Sequence, residues 1–402
     1  MGNEIKICEL CGSDSLKPVL NLGLHPLCDD LIQIGSSEVS LEYPIEILFC
    51  QKCYTAHQKF HVNRELLFPI NYHYRARMTG SVLSGMHDLV VECKSHFGSL
   101  VGLKVLDIGC NDGSLLNYFL KNGADVFGVE PTNAAKDAQI PVIQKFFDDK
   151  IIEEILVRFG EPDLIIFTNV FAHIENLPEL IQNLMKIMKE STVLVVENHY
   201  LGAVLKFGQF DTFYHEHPRT YSARSFDFIA DKMGRAVIRR SFVSRYGGNI
   251  RVFIGKPFKS QSSLLTDPEN EDRFYEGFGV LNQFMKKWVK EEKYKIENLN
   301  KIYGPLPAKA FPGRAAILIK LLNLTEFNIS AVYEIAGSIK VGNYVPGTRI
   351  PILPEIDLFE TLLEFPLILN LAWHIPNEVE LNLRNNGFLG KVINVMDFNE
   401  RY

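Results

Sequence analysis

The segment Val105-Leu106-Asp107-Ile108-Gly109-Cys110-Asn111-Asp112-Gly113-Ser114 constrains this chain more than any other. An apolar run beginning at Lys104 enters a turn that carries Gly109 and Gly113, and a helical stretch, Ser114 to Lys121, follows. A second apolar run starts at Asp125 and closes on Glu130, 23 residues after Asp107. Leu164 to Phe167 and Thr192 to Val196 continue the pattern, with a helical stretch between them. Apolar runs without alternation read as strands buried on both faces. Such strands alternating with helices predict a doubly wound parallel α/β sheet of the Rossmann type.

A sheet of this kind binds its ligand at the carboxyl ends of the strands. Glycines let the backbone approach that ligand closely. An acidic residue ending the second strand can accept the ribose hydroxyls of a nucleoside. Asp107, Gly109, Asn111, Gly113 and Glu130 are therefore the candidate cofactor residues. The dinucleotide fingerprint G-x-G-x-x-G is not matched, because Cys110, Asn111 and Asp112 separate the two glycines. Asp107 and Asp112 would also repel a pyrophosphate. S-adenosylmethionine carries a sulfonium and an ammonium but no phosphate. The turn is read as its site, in preference to a nicotinamide dinucleotide or to a turn without a ligand.

Four of the seven cysteines form two C-x-x-C pairs, Cys8/Cys11 and Cys50/Cys53. Each pair sets two thiolates on one tight turn, and two such turns make a tetrahedral sulfur cage suited to Zn²⁺. Four thiolates close the coordination sphere, so the metal is expected to be structural. His25 and Cys28 lie between the pairs without knuckle spacing, and Leu41 to Phe49 reads as a strand leading into the second knuckle. Residues Met1 to Leu10 show no apolar core of a secretory signal, and no run approaches the ~18 apolar residues of a membrane span. A cytoplasmic protein with thiols and no membrane partner is the expectation. The net charge of −6 argues against a general nucleic-acid binder.

Ser81 to His96 has helical apolar spacing, and Lys286 to Lys301 reads as a charged, solvated helix joining domains. Beyond it, Ser330 to Glu334, Leu367 to Leu371 and Lys391 to Val395 read as buried strands. Three domains are expected: a small zinc-binding domain over 1–70, a class I methyltransferase domain over 71–287, and a smaller Rossmann-like α/β domain over 288–402 that helps bind substrate.

The run Tyr214-His215-Glu216-His217 carries candidate chemistry. Making a carbon–carbon bond beside a ketone requires loss of a proton, and histidine is the natural base near neutral pH. The neighbouring Glu216 would raise a nearby imidazole's basicity. Tyr214 would orient the substrate or stabilise an enolate oxygen. On a strand, successive side chains of this run would alternate between inward and outward.

The two knuckles with Leu20-Asn21-Leu22-Gly23, the Val105–Ser114 turn, Gly128-Val129-Glu130-Pro131, Asn169-Val170-Phe171-Ala172-His173-Ile174, and Phe210-Asp211-Thr212-Phe213-Tyr214-His215-Glu216-His217 together carry a resemblance over nearly the whole chain. Gly247-Gly248 and Tyr344-Val345-Pro346-Gly347-Thr348 extend it. The chain resembles the three-domain C-methyltransferases that methylate a carbon of nucleotide-linked keto-deoxysugars. The resemblance implies that Asp107, Gly109 and Glu130 bind S-adenosylmethionine, with Asn169 and Phe171 in the loop beside it. It implies that Tyr214, Glu216 and His217 line the substrate pocket with His217 as base, and that Tyr72 or Tyr74 reaches over the cofactor. His173 would take a structural place beside the cofactor. With such a substrate, His215, Arg251, Lys309 and Arg349 become candidate substrate contacts, the three cations for a diphosphate. A monomer is expected. The stretch Tyr303 to Gly313 departs from the family's usual Tyr-Gly-Ala-x-x-Lys-Gly, and Tyr246-Gly247-Gly248-Asn249 stands where His-Gly-Gly-Ser is usual. Two further readings are an O- or N-methyltransferase on a related sugar, and a non-catalytic zinc-ribbon binding protein with a degenerate methyltransferase fold.

Overall fold

The computed structural model describes residues 4–72, 74–257, 264–266, 268, 270–397 and 399. The central sheet has seven strands in the order Ala236–Val243, Asn249–Gly255, Val193–His199, Leu164–Thr168, Lys104–Ile108, Asp125–Val129, Val142–Ile143. The strand order reverses at Lys104–Ile108, which puts the end of that strand at the switch point where a ligand binds. Five strands, from Val193–His199 across to Val142–Ile143, run parallel. The remaining two depart from the expected all-parallel sheet. Asn249–Gly255 lies antiparallel to Val193–His199 and forms a hairpin with Ala236–Val243. The short connection Ser244–Gly248 explains this, since neighbours joined by a few residues must run antiparallel. Val105, Leu106, Leu164, Ile165, Ile166, Leu194 and Val195 are fully buried, as strands covered on both faces require.

The N-terminal sheet is antiparallel, in the order Leu16–Pro26, Glu42–Cys50, Ala56–Gln58, Arg219–Thr220. Its last strand is contributed by the central part of the chain, with Arg219 opposite His57 and Thr220 opposite Ala56. The C-terminal sheet is parallel, in the order Ile352–Pro354, Ile329–Glu334, Leu306–Lys309, Leu367–Asn370, Lys391–Asn394. The helix Phe274–Tyr303 runs through the boundary expected at 287/288. It is more than a solvated spacer. Phe274, Phe278, Leu281, Met285, Trp288 and Ile296 form a buried stripe at helical spacing, and the Trp288 indole donates to the Val395 carbonyl at 3.0 Å. Ile32–Gln33 pairs with Asn343–Tyr344, so the first and last thirds of the chain also touch. Among the described residues no helix is long and apolar enough to cross a membrane.

Candidate active site and metal centre

The two knuckles are built alike. Gly12 N donates to Cys8 O and Tyr54 N donates to Cys50 O, at 2.8 and 2.9 Å. The four Sγ atoms lie within 4.8 Å of one another, with Cys8–Cys53 at 3.4 Å and Cys11–Cys50 at 3.5 Å. Tetrahedral Zn²⁺ with bonds of ~2.3 Å needs sulfur separations of roughly 3.8 Å, so the cage has the size and the chemistry for it. His25 bonds the Leu22 carbonyl at 2.9 Å, and neither it nor Cys28 belongs to the cluster.

The turn after Lys104–Ile108 borders a cavity of about 1160 Å³ lined by residues of all three regions of the chain. Gly109 has φ +76°, and a Cβ there would come within 2.5 Å of Val170, so only glycine fits. Gly113, also left-handed at φ +75°, starts the helix Ser114–Lys121 behind the cavity wall and is not part of the lining. Its role is conformational. Glu130 is buried and lines the cavity. Its Oε2 accepts from Asn111 N at 3.0 Å, and its Oε1 accepts from Thr132 N and Oγ1 at 2.9 and 2.6 Å. Asp107 is buried beside it, and its Oδ1 has no hydrogen-bond partner. Burial, and then the charge of Glu130, push the Asp107 carboxyl well above the usual carboxylate range. An acidic floor with acceptors still open suits a cationic ligand such as S-adenosylmethionine.

Asn111 has a second task. Its side chain donates to Tyr74 O at 3.1 Å and accepts from Ala76 N at 3.0 Å, while Asp112 accepts from Arg77 N at 3.0 Å. These bonds lay residues 74–77 over the cofactor turn. They bring Tyr72 and Tyr74 into the cavity lining. The Tyr74 and Tyr246 hydroxyls are 3.0 Å apart, and Tyr246 sits at φ +55°.

Tyr214 to His217 is a turn, not a strand, closed by His217 N donating to Tyr214 O at 2.9 Å. The turn sends Tyr214, Glu216 and His217 to the cavity and His215 away from it. The His217 Nδ1–H donates to Thr212 O at 2.9 Å, which fixes the tautomer. Nε2 has no partner among the described residues. Burial lowers the His217 pKa to about 4, so the imidazole is neutral at physiological pH. His173 stacks between Phe68 and His217, with centroids 5.2 and 5.1 Å away. Glu216 is buried and accepts from the Tyr72 hydroxyl at 3.3 Å. Burial and its hydrogen-bonded neighbour Asp29 hold its carboxyl well above the ordinary range.

Three family models match in succession: a zinc binding domain at residues 8–68, a methyltransferase domain at 82–239, and a C-methyltransferase C-terminal domain at 245–391. The C-methyltransferase NovU of Streptomyces niveus is 26% identical over 94% of this chain and 93% of its own length. A ubiquinone biosynthesis O-methyltransferase of Rickettsia bellii is 25% identical, over 27% of this chain and 47% of its own length. The magnesium protoporphyrin IX methyltransferase of Synechocystis, solved with bound SAH, overlaps 43% of this chain and 82% of its own at 19% identity and a TM-score of 0.34. The order of the three domains decides the matter. The chain belongs to the three-domain C-methyltransferase family. It is an S-adenosylmethionine-dependent methyltransferase with a four-cysteine zinc domain.

In this methyltransferase several candidate residues stand elsewhere than the sequence suggested. Phe171 is fully buried under the cavity, edge-on to Phe167 and packed on Tyr221, because the loop turns its apolar ring into the core. Asn169 and Val170 line the cavity in its place. His215 Nε2 bonds the Tyr43 carbonyl at 3.1 Å and does not reach the cavity. Arg349 donates to Ser36 O and Glu38 O at 2.8 Å, outside the cavity, because it joins the C-terminal sheet to the N-terminal region. Arg251 borders the cavity, but its guanidinium is held by Glu197 and Glu92 at 2.8 and 2.7 Å. Lys309 also lines it, paired with Glu355 at 2.8 Å.

The cavity gathers residues that sequence reasoning missed, among them Asp29, His199, Arg314 and His374. Arg314 forks onto Asp211 at 2.6 and 2.8 Å and reaches Thr212 Oγ1 at 2.7 Å, while Trp373 Nε1 donates to Asp211 at 2.8 Å. The C-terminal region thereby grips the residue whose carbonyl orients His217. No local spacing announces these contacts. Arg314 directly follows the Tyr303–Gly313 stretch that departs from the family pattern, which was the one available signal.

Proposed function

We propose that this methyltransferase methylates the carbon next to the ketone of a nucleotide-linked 4-keto-deoxysugar. The reading rests on one observation above all: a neutral His217 beside the cavity, with Nδ1–H bonded to Thr212 O and Nε2 left for a substrate proton. Nε2 takes the α-proton, the C–H electrons pass into the carbonyl, and an enolate forms. Asp107, Asn111 and Glu130 would hold S-adenosylmethionine, which would supply the electrophilic methyl that this carbon accepts. Glu216, whose carboxyl burial and Asp29 hold well above the ordinary range, and Tyr214 would donate to the enolate oxygen. A neutral carboxylic acid in this place stabilises developing negative charge without bringing a charge of its own. Tyr72 and Tyr74 close the cavity over the reacting atoms. Lys340 lines the cavity toward the C-terminal sheet, beside Lys309 and Arg314, which are already paired with Glu355 and Asp211, and a diphosphate would lie on that side.

The test is product analysis with a panel of nucleotide-linked keto- and non-keto sugars. The reading expects a new methyl on carbon, found by NMR, with ketone substrates only. A methyl on oxygen or nitrogen, or equal turnover of a sugar without the ketone, would contradict it.

A further inference from the structure

We infer that Arg219 is a positioning residue that locks the catalytic turn and the cofactor-side loop to the zinc knuckle. The inference rests on the reading of His217 as the base. Arg219 follows His217 by two residues and its side chain is fully buried. Its guanidinium reaches three separate parts of the chain. Nη1 pairs with Glu9, which lies inside the first knuckle between Cys8 and Cys11. Nη1 also donates to Glu175 O at 3.1 Å, and Nη2 donates to Ile174 O. Nε donates to the Tyr221 hydroxyl at 3.1 Å. Ile174 and Glu175 end the loop that carries Asn169 and His173, and His173 stacks on His217. One side chain therefore sets the distance between the base and its stacking partner.

The zinc region holds the same turn through its backbone. Gln58 N donates to Pro218 O at 2.8 Å and Gln58 Nε2 donates to Tyr214 O at 3.3 Å, so both ends of the turn are gripped. His57, opposite Arg219 in the sheet, places Nε2 3.3 Å from Cys8 Sγ and Nδ1 3.6 Å from Glu9. A continuous set of contacts runs from a zinc ligand to the catalytic turn. A buried arginine is costly to desolvate, and an apolar strand residue would serve the fold alone. What the guanidinium adds is a rigid planar fork that reaches a carboxylate and two carbonyls together. A lysine ammonium cannot span them.

The experiment compares Arg219→Lys and Glu9→Gln with the wild-type chain, each alone and combined with His217→Asn. Zinc content, S-adenosylmethionine affinity, and kcat and KM for a keto sugar are measured. The expected result for Arg219→Lys is one zinc per chain, unchanged cofactor affinity and KM, and kcat lower by ~10–100-fold, the size a small misplacement of a catalytic group produces. Glu9→Gln moves kcat the same way by less. In the His217→Asn background neither change lowers kcat further, because both act through that side chain. Undiminished kcat in both single variants overturns the inference. So does a loss that repeats in full on the His217→Asn background, or a loss of zinc and cofactor binding in step with activity. Should Arg219→Lys fail to fold, Glu9→Gln carries the same comparison. Wild-type turnover is the control that separates the two claims, since it fails only if the proposed substrate is wrong.

Discussion

Replacing Glu130 by glutamine probes the cofactor end of the site, and the geometry gives the size of the effect. A carboxylate offers about four acceptor positions. Three are taken, one by Asn111 N on Oε2 and two by Thr132 on Oε1. One position on Oε2 remains for a ribose hydroxyl. A hydrogen bond to a charged group contributes ~1.5–3 kcal/mol, which is roughly 10–150-fold in affinity. Glutamine keeps the shape but turns an amide toward the backbone donors of Asn111 or Thr132. That loosens the turn through which Asn111 holds Tyr74 and Ala76, so the loss should fall in the upper half of the range. Thr132→Val removes one donor to Oε1, leaves the Oε2 position intact and should cost less. Calorimetric titration with S-adenosylmethionine measures both, with zinc content and circular dichroism as controls for the fold. Unchanged affinity in Glu130→Gln would refute the reasoning and place the ribose elsewhere.

Cys50→Ser should release the zinc and destabilise the N-terminal region by on the order of 4 kcal/mol, seen by metal analysis and by an earlier first transition on heating. Because Arg219–Thr220 belongs to that region's sheet, activity should fall with it. Acid should destabilise the fold through its buried histidines. Burial lowers His25, His61, His215 and His217 to about 4, so each is neutral in the fold but protonates in the unfolded chain below about 6.5. Stability is therefore lost as pH falls from about 6.5 toward 4, by about 2 kcal/mol for each such histidine at pH 5. Melting temperatures at pH 7.5 and pH 5 check this, and His217→Asn should show a smaller acid penalty than the wild type.

What the sequence made legible was what is local in the chain. The Cys pairs announce their cage by spacing alone, and the Asp107–Gly113 turn announces a switch-point ligand because strand, glycine and acid follow one another directly. The helix Ser114–Lys121 has the bounds that its apolar positions suggest. The errors come where a side chain's direction depends on distant segments. Tyr214–His217 reads as alternating but folds as a turn, because Thr212 O and the Gln58 contacts hold it there. Phe171 reads as a loop aromatic but packs inward, since an apolar ring gains more from the Phe167–Tyr221–Phe226 cluster than from a polar cavity. Arg349 and Arg251 look like free cations until their partners, carbonyls in one case and carboxylates in the other, arrive from elsewhere in the chain. Asp29 and Arg314 were invisible for the same reason: they enter the site only when the outer regions close on the central one.

In the proposed reaction His217 removes a proton from carbon before the methyl arrives. Enzyme-dependent exchange of the substrate's α-proton with deuterated water, followed by NMR, reads that step alone. His217→Asn should lose exchange and turnover together, by ~10²–10⁴-fold, while it still binds S-adenosylmethionine, and because His215 is bonded to Tyr43 O outside the cavity, His215→Asn should keep most of both. Exchange at the wild-type rate in His217→Asn would contradict it and assign the base to another group.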